Sequence, residues 1–157
     1  MSDITLRHAG SEDLPALNRV VQAAFMTWDL PERVKRLSLP SYLYDDMDLQ
    51  HLQLTLAERG GRVVGVAAWE PAAPQDCPQD KRGLLLHGLY VQPEEGGRGI
   101  GRALLHAAQA AATAAGMHGV LVKAQTDSVG FFERLGLEAL PVEDVARHYA
   151  RRFWLSA

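Results

Sequence analysis

Between an apolar run, Leu84 to Val91, and an alanine-rich run, Ala103 to Ala115, the chain reads Gln92-Pro93-Glu94-Glu95-Gly96-Gly97-Arg98-Gly99-Ile100-Gly101-Arg102. This segment constrains the fold more than any other. The run before it has the length and apolarity of a buried strand, and the run after it is made of strong helix formers. Strand, glycine turn, helix N-terminus is the predicted order. The unpaired amides of a helix N-terminus attract phosphate. Arg98 and Arg102 lie at or beside that terminus, where the macrodipole disfavours a cation by roughly 0.3–1 kcal/mol. A bound anion reverses the sign. The alternative is a plain glycine-rich turn with solvated arginines.

Two phosphate loops do not fit. No Gly-Lys-Ser/Thr tripeptide occurs, so a Walker loop is excluded. A dinucleotide fingerprint needs G-x-G-x-x-G, but the glycines stand at 97, 99 and 101 and position 102 is arginine.

The remaining elements follow from periodicity. Ile4 to Arg7 reads as a first strand. Ser11 or Asp13 caps a helix that carries Leu14, Leu17, Val20, Val21 and Ala24 at helical spacing. Phe25 to Asp48 reads as one short helix with irregular flanks. Leu52, Leu54 and Leu56 alternate with polar residues, which predicts a half-buried strand. Arg59-Gly60-Gly61-Arg62 is a hairpin turn, and Val63 to Trp69 returns. Pro71 to Lys81 is a polar loop. Leu84 to Val91 predicts a strand buried on both faces. The helix from about Gly101 to Ala115 stops at Gly116. Val120 to Val122 is a core strand, Ser128 to Leu135 a short helix stopped by Gly136, and His148 to Leu155 a last strand. The expected fold class is α/β (α+β), a mixed central sheet with helices on both faces.

At 157 residues the chain is expected to form a single domain, 1–157. A net charge of -3 gives no global field toward nucleic acid or an anionic membrane. One cysteine, Cys77, allows neither an internal disulfide nor a thiolate metal cluster. It reads as an incidental thiol in the polar loop. The N-terminus lacks the pattern of a signal peptide, and no window approaches the ~18 apolar residues of a membrane span. A soluble cytoplasmic protein is expected.

At the glycine loop the sequence resembles the GNAT acyl-CoA N-acyltransferase family. Its motif Q/R-x-x-G-x-G/A, after a strand ending L-x-V-x-P, is matched by Leu89-Tyr90-Val91-Gln92-Pro93 and then Gly96-Gly97-Arg98-Gly99-Ile100-Gly101. A second motif, a short helix of the form Y-x-x-x-G-F, is matched loosely by Phe131-Phe132-Glu133-Arg134-Leu135-Gly136-Leu137. The resemblance runs from Ile4 to the tail. It implies a GNAT-like sheet and acetyl-CoA as acyl donor, with no metal. It implies that Gly96 to Arg102 bind the CoA pyrophosphate through backbone amides. Leu89, Tyr90 and Val91 would pair with the pantetheine arm, one of their amides polarising the thioester for direct attack by an amine. Ser128, Phe131 and Phe132 would lie along the rest of the CoA. Two positions depart from the pattern. Gly96 replaces a polar residue, and Phe132 stands where many members carry a tyrosine that protonates the thiolate.

Direct attack needs a neutral amine, so a base helps. His87 is the first candidate, on the strand that feeds the loop, and a core histidine bonded to a neighbour is the alternative. Glu70 is the second, against a solvated strand end. Tyr149 and Tyr44 are candidate proton donors, against packing roles. Asp45, Asp46 and Asp48 could attract a cationic acceptor, or be a solvated acidic loop. Arg151-Arg152-Phe153-Trp154 reads as an amphipathic strand and a candidate homodimer contact, too small a basic cluster for nucleic acid. His106 and His118 have no partners at metal-ligand spacing. The function expected is N-acetyl transfer to a small-molecule or peptide primary amine. An acyl-CoA sensor without turnover and an enzyme using a longer acyl-CoA remain open.

Overall fold

The computed structural model describes residues 3–143, 145–146 and 149–157. Seven strands form one mixed sheet in the order β1-β2-β3-β4-β5-β7-β6. In chain order the elements are β1 (Ile4–His8), α1 (Leu14–Phe25), α2 (Glu32–Ser38), α3 (Asp46–His51), β2 (Gln53–Arg59), β3 (Arg62–Pro71), β4 (Gly83–Val91), α4 (Ile100–Ala114), β5 (Gly119–Lys123), α5 (Val129–Arg134), β6 (Glu138–Ala139) and β7 (Arg152–Ser156). β1 pairs antiparallel with β2, β4 parallel with β5, and β7 antiparallel with both β5 and β6. The chain divides into two compact units. The first is Met1–Ala68 with Gly88–Leu104, the second Trp69–His87 with Leu105–Ala157.

In the first unit β2 and β3 are buried on both faces, while β1 is largely exposed. Leu54, Leu56, Val66 and Ala68 pack with Leu17, Val20 and Val21 of α1. On the opposite face a methyl at Gly65 would meet Ile100 and Leu104 of α4 and Ala57 of β2. β2 is therefore not the half-buried strand its alternation predicts: Thr55 and Ala57 are buried along with Leu54 and Leu56. The hairpin at Gly60 and Gly61 has φ of 61° and 76°, the two positive values that a two-residue turn of matched twist requires. Phe25 to Asp48 holds two helices rather than one. α3 is started by a capping box, with the Asp45 carboxylate accepting from the Asp48 amide and the Asp48 carboxylate from the Asp45 amide.

In the second unit Cys77, Leu121 and Trp154 form a core with Ala72, Leu85 and Leu140. Cys77 is 8% exposed, so the loop that holds it is not simply polar. Gly116 closes α4 with the paired bonds of a Schellman motif, Met117 N–H to Ala112 C=O and Gly116 N–H to Thr113 C=O. Gly136 closes α5 the same way, Leu137 N–H to Phe132 C=O and Gly136 N–H to Glu133 C=O. The last strand begins at Arg152, later than expected. His148, where the sequence starts it, lies outside the described residues.

Candidate active site

The site begins where β4 outruns its partner. The parallel register runs from Gly83↔Gly119 to Leu86↔Val122, while β4 itself continues to Val91. The pairing of β4 with β3 shifts. Ala72 N–H bonds to Gly83 C=O, and Gln92 N–H to Val64 C=O. Nine steps from Gly83 to Gln92 therefore face eight from Val64 to Ala72, the count of a one-residue β-bulge. A bulge disrupts the ladder locally, and a strand so disrupted can pair with an extended ligand.

In the first unit this strand end leads into the glycine loop. Pro93–Glu95 make one turn of 3-10 helix, closed by Gly96 N–H to Pro93 C=O. Gly97 and Gly99 both take φ of 80°, and nothing lies within 4 Å of where a side chain would start at either. Gly99 C=O accepts the first α4 bond, from Ala103 N–H. The amides of Ile100, Gly101 and Arg102 are then the orphan donors of the helix N-terminus. An open, side-chain-free cradle beside three such amides fits a pyrophosphate.

The loop is braced from below. Glu95, 7% exposed, accepts from Arg59 Nε at 3.0 Å and Nη2 at 2.6 Å, and pairs with Arg98 Nε at 2.9 Å. The Arg59 hydrogen bonds hold the Glu95 carboxyl below the usual carboxylate range. Arg98 is thus already matched by a carboxylate, while Arg102, exposed at the first turn of α4, is a cation within that turn that a ligand can use. The Glu95–Arg59 pair was not legible in the sequence, because its partners are 36 residues apart.

The strand residues divide by face. Tyr90, 6% exposed, joins the α1-side core, while Leu89 and Val91 are half-buried. Tyr44 packs edge-on to Tyr90 with ring centroids 6.5 Å apart, and Trp28 stacks on Tyr90 at 6.5 Å. Burial pushes the Tyr90 hydroxyl up to about 12.

In the second unit, His87 is exposed on β4 and Glu70 is half-buried near the end of β3. Tyr149 is 37% exposed. Its hydroxyl donates to Ala124 C=O at 3.0 Å and accepts from Arg151 Nη2 at 2.9 Å. Its proton is therefore already engaged. Ser128 Oγ accepts from Gln125 Nε2 at 2.9 Å just before α5. Phe131 is half-buried and lies edge-on to Phe132, which is 4% exposed and packs against Phe153. The Phe132 ring is thus a core side chain of this unit. Among the described residues no group of three His, Cys, Asp or Glu could hold a metal ion. Nor is any helix of those residues long and apolar enough to cross a membrane.

The model of the acetyltransferase (GNAT) family matches residues 19–137. The chain is similar to the L-methionine sulfoximine/L-methionine sulfone acetyltransferase of Pseudomonas aeruginosa, 28% identical over 142 residues, covering 85% of this chain and 80% of that one. Among solved structures it is similar to PaiA N-acetyltransferase from Thermoplasma acidophilum in complex with coenzyme A. There the TM-score is 0.77 at 17% identity, with 100% of both chains covered. AtaT complexed with acetyl-methionyl-tRNAfMet shares the fold at a TM-score of 0.63 and 18% identity, covering 98% of this chain and 95% of that one.

Proposed function

The chain belongs to the acetyltransferase (GNAT) family, and on that premise we propose that it moves an acetyl group from acetyl-CoA to the primary amine of a small molecule, an amino-acid α-amine first. One observation carries this reading. β4 carries a one-residue bulge against β3 and delivers its chain directly into the Gly97–Gly99 cradle. A thioester arm and a pyrophosphate are served by that combination of an irregular strand and open helix amides. The family match runs through both compact units, which supports reading 1–157 as one acyltransferase domain.

In this reading Gly96, Gly97, Arg98, Gly99, Ile100, Gly101 and Arg102 hold the pyrophosphate, and Leu89, Tyr90 and Val91 align the pantetheine. Ser128, Phe131 and Phe132 flank the remainder of the donor. An amide of the 89–91 segment polarises the thioester carbonyl. The amine nitrogen bonds to the carbonyl carbon, the C–S bond breaks, and CoA leaves as thiolate. Before that attack His87 takes a proton from the acceptor's ammonium to free the nitrogen lone pair, with Glu70 as the alternative base. Tyr149 is the remaining candidate acid, and its bond to Ala124 must open for it to act. A CoA thiolate is weakly basic, so unassisted departure is chemically tolerable and Phe132 is no barrier.

The acceptor class rests on the similarity to an acetyltransferase of methionine sulfoximine and sulfone. The test is thiol release from acetyl-CoA across amino acids, polyamines, a peptide N-terminus and an aminoacyl-tRNA. Release with a free amino acid is expected, with no dependence on nucleic acid or lipid. Release with tRNA alone would move the acceptor to that class. His87→Ala should lower kcat and alter the pH dependence of the rate; an unaltered profile transfers the role to Glu70 or water. Phe132 favours a second reading, an acyl-CoA sensor. Acetyl-CoA that raises the melting temperature without turnover on any amine would establish it. Faster release from a longer acyl-CoA would replace acetyl as the donor group. A single sedimentation measurement decides whether the cytoplasmic enzyme expected here works as a homodimer.

A further inference from the structure

Tyr44 is held more tightly than its place in a connecting segment explains. Asn18 of α1 clamps its backbone from both sides, Nδ2 donating to Tyr44 C=O at 2.8 Å and Oδ1 accepting from Tyr44 N–H at 2.9 Å. The capping box of α3 begins at the next residue. Two local devices thus fix the backbone that carries the Tyr44 side chain, a residue 5% exposed. The hydroxyl at its tip reaches β4. A Cβ built at Gly88 would stand 2.3 Å from Tyr44 Oη and 2.7 Å from the Tyr90 ring. Real Cβ atoms do not approach so closely, so residue 88 is glycine because a phenol occupies that space.

Packing alone does not need that hydroxyl. Phenylalanine fills nearly the same volume and brings no polar atom into the core, whereas a buried hydroxyl has to find partners. We propose that Tyr44 is a positioning residue for acyl transfer: its hydroxyl, set on Gly88 and against Tyr90, holds the backbone of the free end of β4 in the conformation from which an amide of residues 89–91 polarises the thioester. This rests on the acyl-transfer reading for its chemistry, though not for its geometry. β4 is bulged against β3 between Gly83 and Gln92, and a clamp from the α1 side steadies its end.

The alternative role, a proton source in place of the missing tyrosine at Phe132, fits poorly. Burial raises both phenols, Tyr90 to about 12, and Tyr44 is raised as well. A thiol ordinarily titrates near 8.5, so either phenol is a much weaker acid than the thiolate's own conjugate. The pair stays neutral across the working range and acts through geometry.

Tyr44→Phe is the direct test, with Gly88→Ala as the second variant because its methyl displaces the same hydroxyl. Tyr44→Phe should lower kcat about 10- to 100-fold, as small misplacements of reacting groups do. The acetyl-CoA dissociation constant by calorimetry should stay within about threefold, since the pyrophosphate cradle is untouched. The pH–rate profile should keep its shape. A lower melting temperature with unchanged kcat would reduce Tyr44 to packing, and loss of one limb of the profile would make it a proton donor; either overturns the proposal. Amide hydrogen exchange on the unliganded protein is independent of turnover. Both variants should speed exchange at Leu89 to Val91 and leave Val120 to Val122 unchanged. Unchanged exchange at 89–91 overturns the clamp even if the chain proves to acetylate nothing. Failure of wild-type turnover with faster exchange in the variants would instead count against the acyl-transfer reading alone.

Discussion

At the scale of single residues, Asp13 shows how a polar side chain joins several elements. Its carboxylate accepts from Arg7 Nη1 at 2.8 Å and Nη2 at 2.7 Å, and from the Gly10 amide at 2.8 Å. Arg7 also bonds Glu58 of β2 through Nε at 2.8 Å. The first strand, the start of α1 and the second strand are tied through one guanidinium. These bonds hold the Asp13 carboxyl down at about 2, Arg7 being the largest cause. A depressed carboxylate contributes stability that is present above its unfolded value and lost as pH falls through its folded one. The window here runs from about 4 down to about 2. Because the Arg7 side chain is 43% exposed, solvent screening reduces the gain to about 1–2 kcal/mol. Asp13→Asn keeps the acceptor for Gly10 and removes the charge. Urea unfolding should show the variant weaker at pH 7 and the gap closing near pH 2.5. A gap that persists in acid would assign the loss to shape rather than charge.

At the scale of elements, the turn from β4 into α4 is the part most legible in the sequence. Glycines can be read directly as positions of positive φ, and Gly97 and Gly99 both adopt it. The brace beneath them was not legible, since Glu95 looks like one more loop carboxylate until Arg59 is placed under it. α2 defeats pattern reading for a related reason. Its lysine, Lys35, is 7% exposed and donates to Met26 C=O at 2.8 Å, while Leu37 is 73% exposed. A long side chain that buries its stem to satisfy a helix-end carbonyl reverses the usual polarity of a face. Gly99→Val tests the legible part. Nothing lies within 4 Å of the new side chain's origin, so the core is undisturbed. A β-branched residue, however, resists φ of 80°, and the cradle must change shape. Acetyl-CoA affinity by calorimetry should fall at least about tenfold with the far-ultraviolet dichroism unchanged. Equal affinity would remove the loop from the site.

At the scale of the whole molecule, periodicity finds nearly every element but not where each one ends or what covers it. β4 reads as an apolar run throughout, yet His87 is exposed on it. That exposure is not encoded locally, because it depends on what packs over the strand. Cys77 escapes pattern reading for the same reason: its neighbours in sequence are polar, while its neighbours in space are Leu121 and Trp154. Its burial leads to a measurement. Cys77 is the one thiol in the chain, it is 8% exposed, and burial raises its pKa above the ordinary thiol value, with Asp76 adding to the effect. Reaction with a disulfide reagent requires both access and thiolate, and the folded chain restricts both. Native protein should therefore consume far less than one equivalent of Ellman's reagent over the minutes in which free CoA is titrated. In denaturant it should consume one. The residual native rate should track opening of the unit formed by Trp69–His87 and Leu105–Ala157, and so rise with sub-denaturing urea. Stoichiometric reaction of the native chain at the rate of a small thiol would show that the Cys77–Leu121–Trp154 core is not closed in solution. Slow reaction leaves CoA as the only fast thiol in the mixture, so acyl transfer can be followed without correction for the enzyme.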